Sequence, residues 1–429
     1  MSITAICNLD ALEILDSRGE PTLQVRVILE GGASAVAAVP AGASTGRHEA
    51  REARDADPER YRGRGVSRAA SAVRGRIAEG LRGLDAADQK QIDGRLIALD
   101  GTPDKSGLGA NAILGVSMAA ARAAAQASGR PLYVHLGGGD ATLLPMPCLN
   151  VLNGGRHADS SLDVQEFMLV PVGMPTFARA MRCAAETYHA IRDLLHERSL
   201  STAVGDEGGF APKLPDNEAA LDLIVAATER AGYRPGEDVA IAIDPAATSF
   251  AVEGGYDLVR SGTGRLDRGG LLALYGRWIE RWPIVSIEDG FGEDDWAGFV
   301  AQTAAQGKRI QVMGDDLLCT NTRLIEQAIA EDACNAALIK LNQIGTVTET
   351  AAAVAMCREA GWASMVSHRS GETTDAFIAD FAVAMGCGQI KSGAPCRGER
   401  LAKYNRLLEI EAELGPRARF ENPFAHRRH

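Results

Sequence analysis

Four short apolar runs in the second half of the chain each end on a residue able to bind a metal or carry a proton. They are Val239-Ala-Ile-Ala-Ile-Asp244, Ile284-Val-Ser-Ile-Glu288-Asp289, Ile310-Gln-Val-Met-Gly-Asp315-Asp316 and Ala337-Leu-Ile-Lys340. Runs this short and this rich in Val and Ile suit strands buried on both faces. An acid just past such a run does nothing for an apolar interior, because an unpaired buried carboxylate is costly. The positions from Glu288 to Asp315, Lys340 and His368 are separated by 25 to 28 residues. A strand, a crossover helix and two loops take that length. All four ends therefore belong at one open end of a parallel barrel, where barrel enzymes keep their chemistry.

Carboxylates from separate strands, with no His or Cys among them, make a hard-oxygen site that selects Mg²⁺. Alternation along a strand lets only one acid of Glu288/Asp289 and one of Asp315/Asp316 face the metal, and spacing does not say which. Lys340 beside a divalent cation would have a depressed pKa and could take a proton from the carbon next to a metal-bound carboxylate; taken in isolation it reads better as an ion pair to Asp315 or Asp316. Glu207, in Gly205-Asp-Glu-Gly-Gly209, and Glu166, in Val164-Gln-Glu-Phe167, supply two further carboxyls. Close together, one of them keeps its proton and can give it to a leaving hydroxide, which turns proton abstraction into loss of water. Ser367-His-Arg-Ser-Gly371 offers a planar cation, a hydroxyl and open backbone, a set suited to a phosphate monoester. His157, in Asn153-Gly-Gly-Arg-His-Ala158, offers another hydrogen bond, and Lys391, at the end of Gly388-Gln-Ile-Lys391, is placed to pair with a substrate anion. The small, turn-rich Pro40-Ala-Gly-Ala-Ser-Thr-Gly46 can close over a barrel mouth and bring Ser44 to a second metal. It lacks the P-loop pattern, and no G-x-G-x-x-G follows a strand, which excludes nucleotide-binding readings.

At 429 residues the chain exceeds one core of typical size, so two domains are expected. A net charge of −11 argues against nucleic acid or an acidic membrane as partner. Eight cysteines with no C-x-x-C pair predict reduced thiols and a cytoplasmic setting. The first residues show neither a basic stretch nor a long apolar run, so no secretion signal is expected, and no stretch of ~18 apolar residues is available to cross a bilayer.

The elements that must position these groups can be read in outline. Ala5–Leu15, Thr22–Leu29 and Ala33–Val39, with a turn at Gly31-Gly32, predict a three-stranded antiparallel meander. Helices are predicted over Val66–Gly80, Ala86–Asp100 and the nearly all-apolar Asn111–Ser128, and later over Asp294–Gln306, Thr322–Ala330 and Thr346–Ala360. Ala363–His368 and Gly388–Lys391 read as further barrel strands. The expected division is a small α+β domain over 1–136 capping a barrel domain over 137–429, with Gly137–Asp140 as linker.

Together, Ala5–Leu15 with Asp16-Ser-Arg-Gly19, the 40–46 loop, Asn153–Ala158, Gln165-Glu-Phe167, Gly205–Gly209, Ser286-Ile-Glu-Asp-Gly290, Leu338-Ile-Lys-Leu-Asn-Gln-Ile-Gly345, Ser367-His-Arg-Ser-Gly-Glu372 and Gln389-Ile-Lys391 resemble the enolase family, in the family's order, from about residue 5 to Glu411. The resemblance implies an α/β fold: an irregular eight-stranded (β/α)8-type barrel behind an α+β lid. It implies a glycolytic lyase of the cytoplasm, the reversible Mg²⁺-dependent dehydration of 2-phosphoglycerate to phosphoenolpyruvate. By the family's pattern Lys340 is the base and Glu207, supported by Glu166, assists departure of hydroxide. Asp244, Glu288 and Asp315 bind the first Mg²⁺, and Ser44 belongs to a second. Arg369 and Ser370 hold the phosphate, with Lys391, His157, Gln165 and His368 completing the pocket. A homodimer or an assembly of dimers is implied as well. Pro245, Gly398 and the stretch 246–280, read as a divergent outer strand and helix, depart from the family's pattern. They raise one alternative, an enolase-like enzyme of phosphonate or phosphinate biosynthesis forming a phosphoenolpyruvate analogue such as carboxyphosphonoenolpyruvate.

Overall fold

The computed structural model describes residues 2–43, 46–158 and 161–427. The first sheet is the expected meander: β1 (Ile6–Leu15), β2 (Pro21–Leu29) and β3 (Ser34–Ala38), antiparallel in that order. The turn into β3 places Gly32 at φ +84°, a conformation that favours glycine. Leu23, Val25, Val27 and Leu29 alternate along β2 and are buried. They back onto the helix Ala110–Ala127, whose Gly115 lets its backbone approach Val25 closely.

Helix starts shift from the predicted positions where a cap intervenes. The Asp88 carboxylate accepts from Gln91 N–H, so that helix begins at Gln89 rather than Ala86. The helix predicted from Asp294 likewise starts at Trp296 behind an Asp295 cap, and the one predicted from Thr346 starts at Val347 with Thr346 as its cap. The stretch expected as one helix over Val66–Gly80 divides into Ser67–Ala72, a π-turn at Val73–Ile77, and Ala78–Leu81.

The second half closes into a barrel. After the short β4 (Leu143–Leu144) come β5 (Met146–Asn153), β6 (Glu166–Val170) and β7 (Ala240–Asp244). A separate antiparallel sheet follows, β8 (Ala251–Val252), β9 (Gly255–Leu258) and β10 (Gly264–Leu266), where a single outer strand was expected. The barrel resumes with β11 (Ile284–Glu288), β12 (Gln311–Gly314), β13 (Ala336–Ile339), β14 (Ala363–Ser367) and β15 (Gly388–Lys391), and β16 (Arg419–Phe420) pairs with β4 outside it. Barrel order is β11-β12-β13-β14-β15-β5-β6-β7. β6 runs antiparallel to both neighbours and all other pairs are parallel. Among the described residues the connection from β5 to β6 holds no helix, which fits an antiparallel pair rather than a parallel crossover.

Period-two alternation sorts the barrel residues. Ala336 and Leu338 join Met146, Cys148, Met168, Met313 and Met365 in one core cluster, while Ala337 and Ile339 pack into the larger one. Polar groups interrupt this apolar lining: Gln311 and Gln389 exchange side-chain hydrogen bonds at 3.0 and 2.9 Å, and Gln311 also donates to Ser286. Two residues further along the same strands stand Glu288 and Lys391, so the alternation that builds the core also aims the chemistry.

Candidate active site

Barrel closure converges strand ends that lie up to 225 residues apart in the chain. Glu166 opens β6 and sits in register opposite Asp244, the last residue of β7. Lys391 ends β15, and its buried Nζ lies 2.8 Å from Glu288, 3.1 Å from Glu166 and 3.4 Å from Asp244. Burial alone would lower this lysine's pKa, yet the three carboxylates raise it well above the ordinary value. Lys391 is the counter-cation within this carboxylate cluster. Glu288 is pushed up to about 8, by burial first and by Asp244 and Asp315 beside it, despite Lys391.

Asp315 follows β12, and its Oδ2 receives Lys340 Nζ at 2.5 Å while Oδ1 accepts from Gln343 at 2.9 Å. This is the ion pair that the sequence left open for Lys340. Burial would depress Lys340, but the carboxylate outweighs it and raises the pKa. The alternation argument for the paired acids also needs correcting. β11 ends at Glu288, and Asp289 turns to φ +43°, so period two no longer applies to it. Its carboxylate accepts the backbone N–H groups of Asp315 and Asp316 at 2.8 Å each. Oxygens of Asp289, Asp315 and Asp316 all lie within 4.8 Å of one another. Asp289 thus faces the cluster rather than away from it, and burial together with Asp316 and Asp315 raises its pKa well above the usual carboxylate range.

Opposite stand the two glutamates. His157 Nδ1 is 3.5 Å from Glu166 and 3.6 Å from Glu207, and His368 Nε2 is 3.4 Å from Glu207. Burial, then the nearby Glu207, raises Glu166 well above the usual range. Burial would raise Glu207 too, but His368, His157 and Arg400 outweigh it and hold Glu207 low. The two carboxyls of the pair are thus pushed in opposite directions, and Asn150 donates to Glu207 at 3.0 Å. Gln165 reaches Asp244 at 3.4 Å.

Arg369 is buried and forms a bidentate pair with Glu49, at 2.9 and 3.1 Å, besides donating to Asn342 at 3.0 Å. The next residue, Ser370, brings its hydroxyl to 3.5 Å from His157 Nε2, and Gly371 pairs its backbone with Ala41 at the base of the 40–46 loop. Ser44 lies outside the described residues. Glu49, Gln343 and Arg400 escaped the sequence reading. Glu49 follows the loop by three residues and Gln343 stands within the Leu338–Gly345 run, but neither position signals a partner elsewhere in the chain. The departures prove mild. The N–H taken by Asp244 is that of Ala246, at 2.9 Å, so Pro245 withholds nothing from it. A Cβ at Gly398 would meet nothing within 4 Å.

His157, Gln165, Glu166, Glu207, Asp244, Asp315, Lys340, His368, Arg369, Ser370 and Lys391 line one small cavity. Glu288 sits just beneath it, against Lys391. The donor set fits a divalent cation: the barrel-end acids are all oxygen, all buried and in excess over nearby cations, as the raised Glu288 attests. No helix among the described residues is long and apolar enough to cross a membrane.

A closed barrel with a carboxylate cluster, a lysine and a glutamate pair facing one cavity defines an acid–base barrel enzyme. Comparison with known proteins narrows the class. Residues 6–136 match the family model described as the enolase N-terminal domain, and residues 141–427 match the enolase C-terminal TIM barrel domain. The chain is 58% identical over 413 residues to "Enolase 1" of Methylococcus capsulatus, covering 96% of this chain and 98% of that protein. It is 56% identical over 415 residues to "Enolase" of Desulfotalea psychrophila (96% and 98%) and 54% identical over 416 residues to "Enolase 2" of Pseudomonas syringae pv. syringae (97% and 97%). The chain belongs to the enolase family.

Proposed function

We infer that the protein is a glycolytic enolase, a hydro-lyase that interconverts 2-phosphoglycerate and phosphoenolpyruvate. One observation carries the reading beyond family membership: Lys340 and the Glu166–Glu207 pair face one cavity, so one side can take a proton while the other gives one. In this reading Lys340, in its neutral form, removes the proton at C2, and Glu207, supported by Glu166, assists departure of the C3 hydroxide. Arg369 and Ser370 bind the phosphate; His157, Gln165, His368 and Lys391 complete the pocket. Asp244, Glu288 and Asp315 would hold the divalent cation that family membership implies, which we take to be Mg²⁺. Ser44 would serve a second. When bound, the metal supplies positive charge to the substrate carboxylate, where the charge of the enolate builds up.

The same reading takes residues 1–136 as lid and 137–429 as catalytic domain, a cytoplasmic setting, and a homodimer or assembly of dimers. Sedimentation would measure the assembly state. Relatives named enolase at 54–58% identity favour 2-phosphoglycerate over the phosphonate alternative. The test is turnover of 2-phosphoglycerate with Mg²⁺, followed by the ultraviolet absorbance of the enol product. Lys340→Ala should lose at least about 10²–10⁴-fold in rate. Feeble turnover by the folded wild type, or undiminished turnover by the variant, rejects the assignment.

A further inference from the structure

The helix Gly398–Leu414 directs Arg400 inward, where it is fully buried behind the site. Nη1 lies 2.6 Å from His368 Nδ1 and donates to the Arg369 carbonyl at 2.6 Å. Nη2 donates to the carbonyls of Ser370, at 2.6 Å, and Asp206, at 3.0 Å. Gly393 makes room for this side chain, since a Cβ there would press on Arg400 Cδ and Cγ. A guanidinium has donors and no acceptor, so the ring nitrogen facing it must accept. An imidazole whose Nδ1 accepts carries its proton on Nε2, and His368 Nε2 is the atom that faces Glu207.

We propose that Arg400 is a positioning residue that locks His368 as its neutral Nε2–H tautomer and ties the Asp206–Glu207 segment to the His368–Ser370 segment. His368 then acts on Glu207 as a donor and never as a base. The glutamate and the phosphate-binding backbone keep a fixed separation because one cation holds the carbonyls of both segments. Burial, the Arg400 charge and Lys391 nearby all disfavour a second proton on His368, against the pull of Glu207, leaving its pKa at about 3. The consequence for turnover rests on the enolase reading; the tautomer does not.

The deciding experiment is nitrogen-15 spectroscopy of histidine side chains in the full-length, substrate-free protein, with His368 assigned by the signal lost in His368→Gln. The expected result from pH 6 to 8 is an unprotonated Nδ1 and a protonated Nε2. A proton on Nδ1, or a doubly protonated ring across that range, overturns the proposal. Arg400→Lys gives the second readout, because one ammonium cannot serve four acceptors in a planar array. In that variant, shown folded by circular dichroism, kcat should fall about 10–100-fold, the usual loss when a functional histidine's orienting partner goes, with KM little changed and the His368 signals shifted toward a tautomer mixture. Unchanged kcat and tautomer in the folded variant overturn the proposal; if the variant does not fold, the wild-type spectrum decides. A wild type with the expected tautomer but no turnover of 2-phosphoglycerate would sink the functional reading alone.

Discussion

Glu49→Ala strips Arg369 of its carboxylate partner. The two side chains are 6% and 4% exposed, so the pair is shielded from water and the guanidinium left behind would be a buried charge without its counter-anion. Removing one member of a buried ion pair costs about 3–5 kcal/mol. Asn342 still accepts from Arg369 and draws the figure toward about 3 kcal/mol. Unfolding entropy of about 2.1 cal/mol/K per residue over 429 residues gives about 0.9 kcal/mol/K, so the melting temperature should drop by about 3 °C. An anion that binds Arg369 would replace the lost partner. Inorganic phosphate at about 100 times its Kd stabilises by about 2.7 kcal/mol, which restores most of the loss. Differential scanning calorimetry of variant and wild type, with and without phosphate, measures both effects. A drop under about 1 °C, or phosphate stabilising the wild type as much as the variant, would refute the inference that Glu49 and a phosphate share Arg369.

Three other outcomes are expected. Glu288 has its folded pKa raised from 4.5 to about 8, so the stability linked to its protonated form is present at low pH and is lost as pH rises from about 4.5 through about 8. In chelator, Glu288→Gln should gain stability relative to wild type across that window, and a flat difference by denaturant titration would contradict the assignment. Asp244→Asn should weaken Mg²⁺ binding at least about tenfold by calorimetry, because it withdraws a charged ligand; equal affinity would remove Asp244 from the metal set. Gly371→Ala would drive a methyl into the Asp16 carboxylate and Arg18 guanidinium, where the first sheet meets the phosphate-side loop. A loss of about 1–3 kcal/mol in denaturant is expected, and an unchanged midpoint would mean the two segments part easily.

Much of the fold was legible because local signals carry it. The meander, the helix Thr322–Ala330 and the strand Gly388–Lys391 follow from periodicity, and the helix starts missed by one to three residues were caps that periodicity cannot see. Which residue types could do the chemistry was also legible, since buried strand ends do not carry Asp, Glu and Lys without cause. What the sequence could not decide is who faces whom. Lys391 lies 147 residues from Asp244 and 225 from Glu166, Arg369 lies 320 from Glu49, and Arg400 lies 32 from His368. Asp289 turned against an alternation that holds only inside a strand. Residue order dictates local backbone and which face is apolar. Tertiary packing, barrel closure together with the docking of the N-terminal segment and the last long helix, sets the distances between charges. In a buried site those distances shift each carboxylate and decide which lysine is paired.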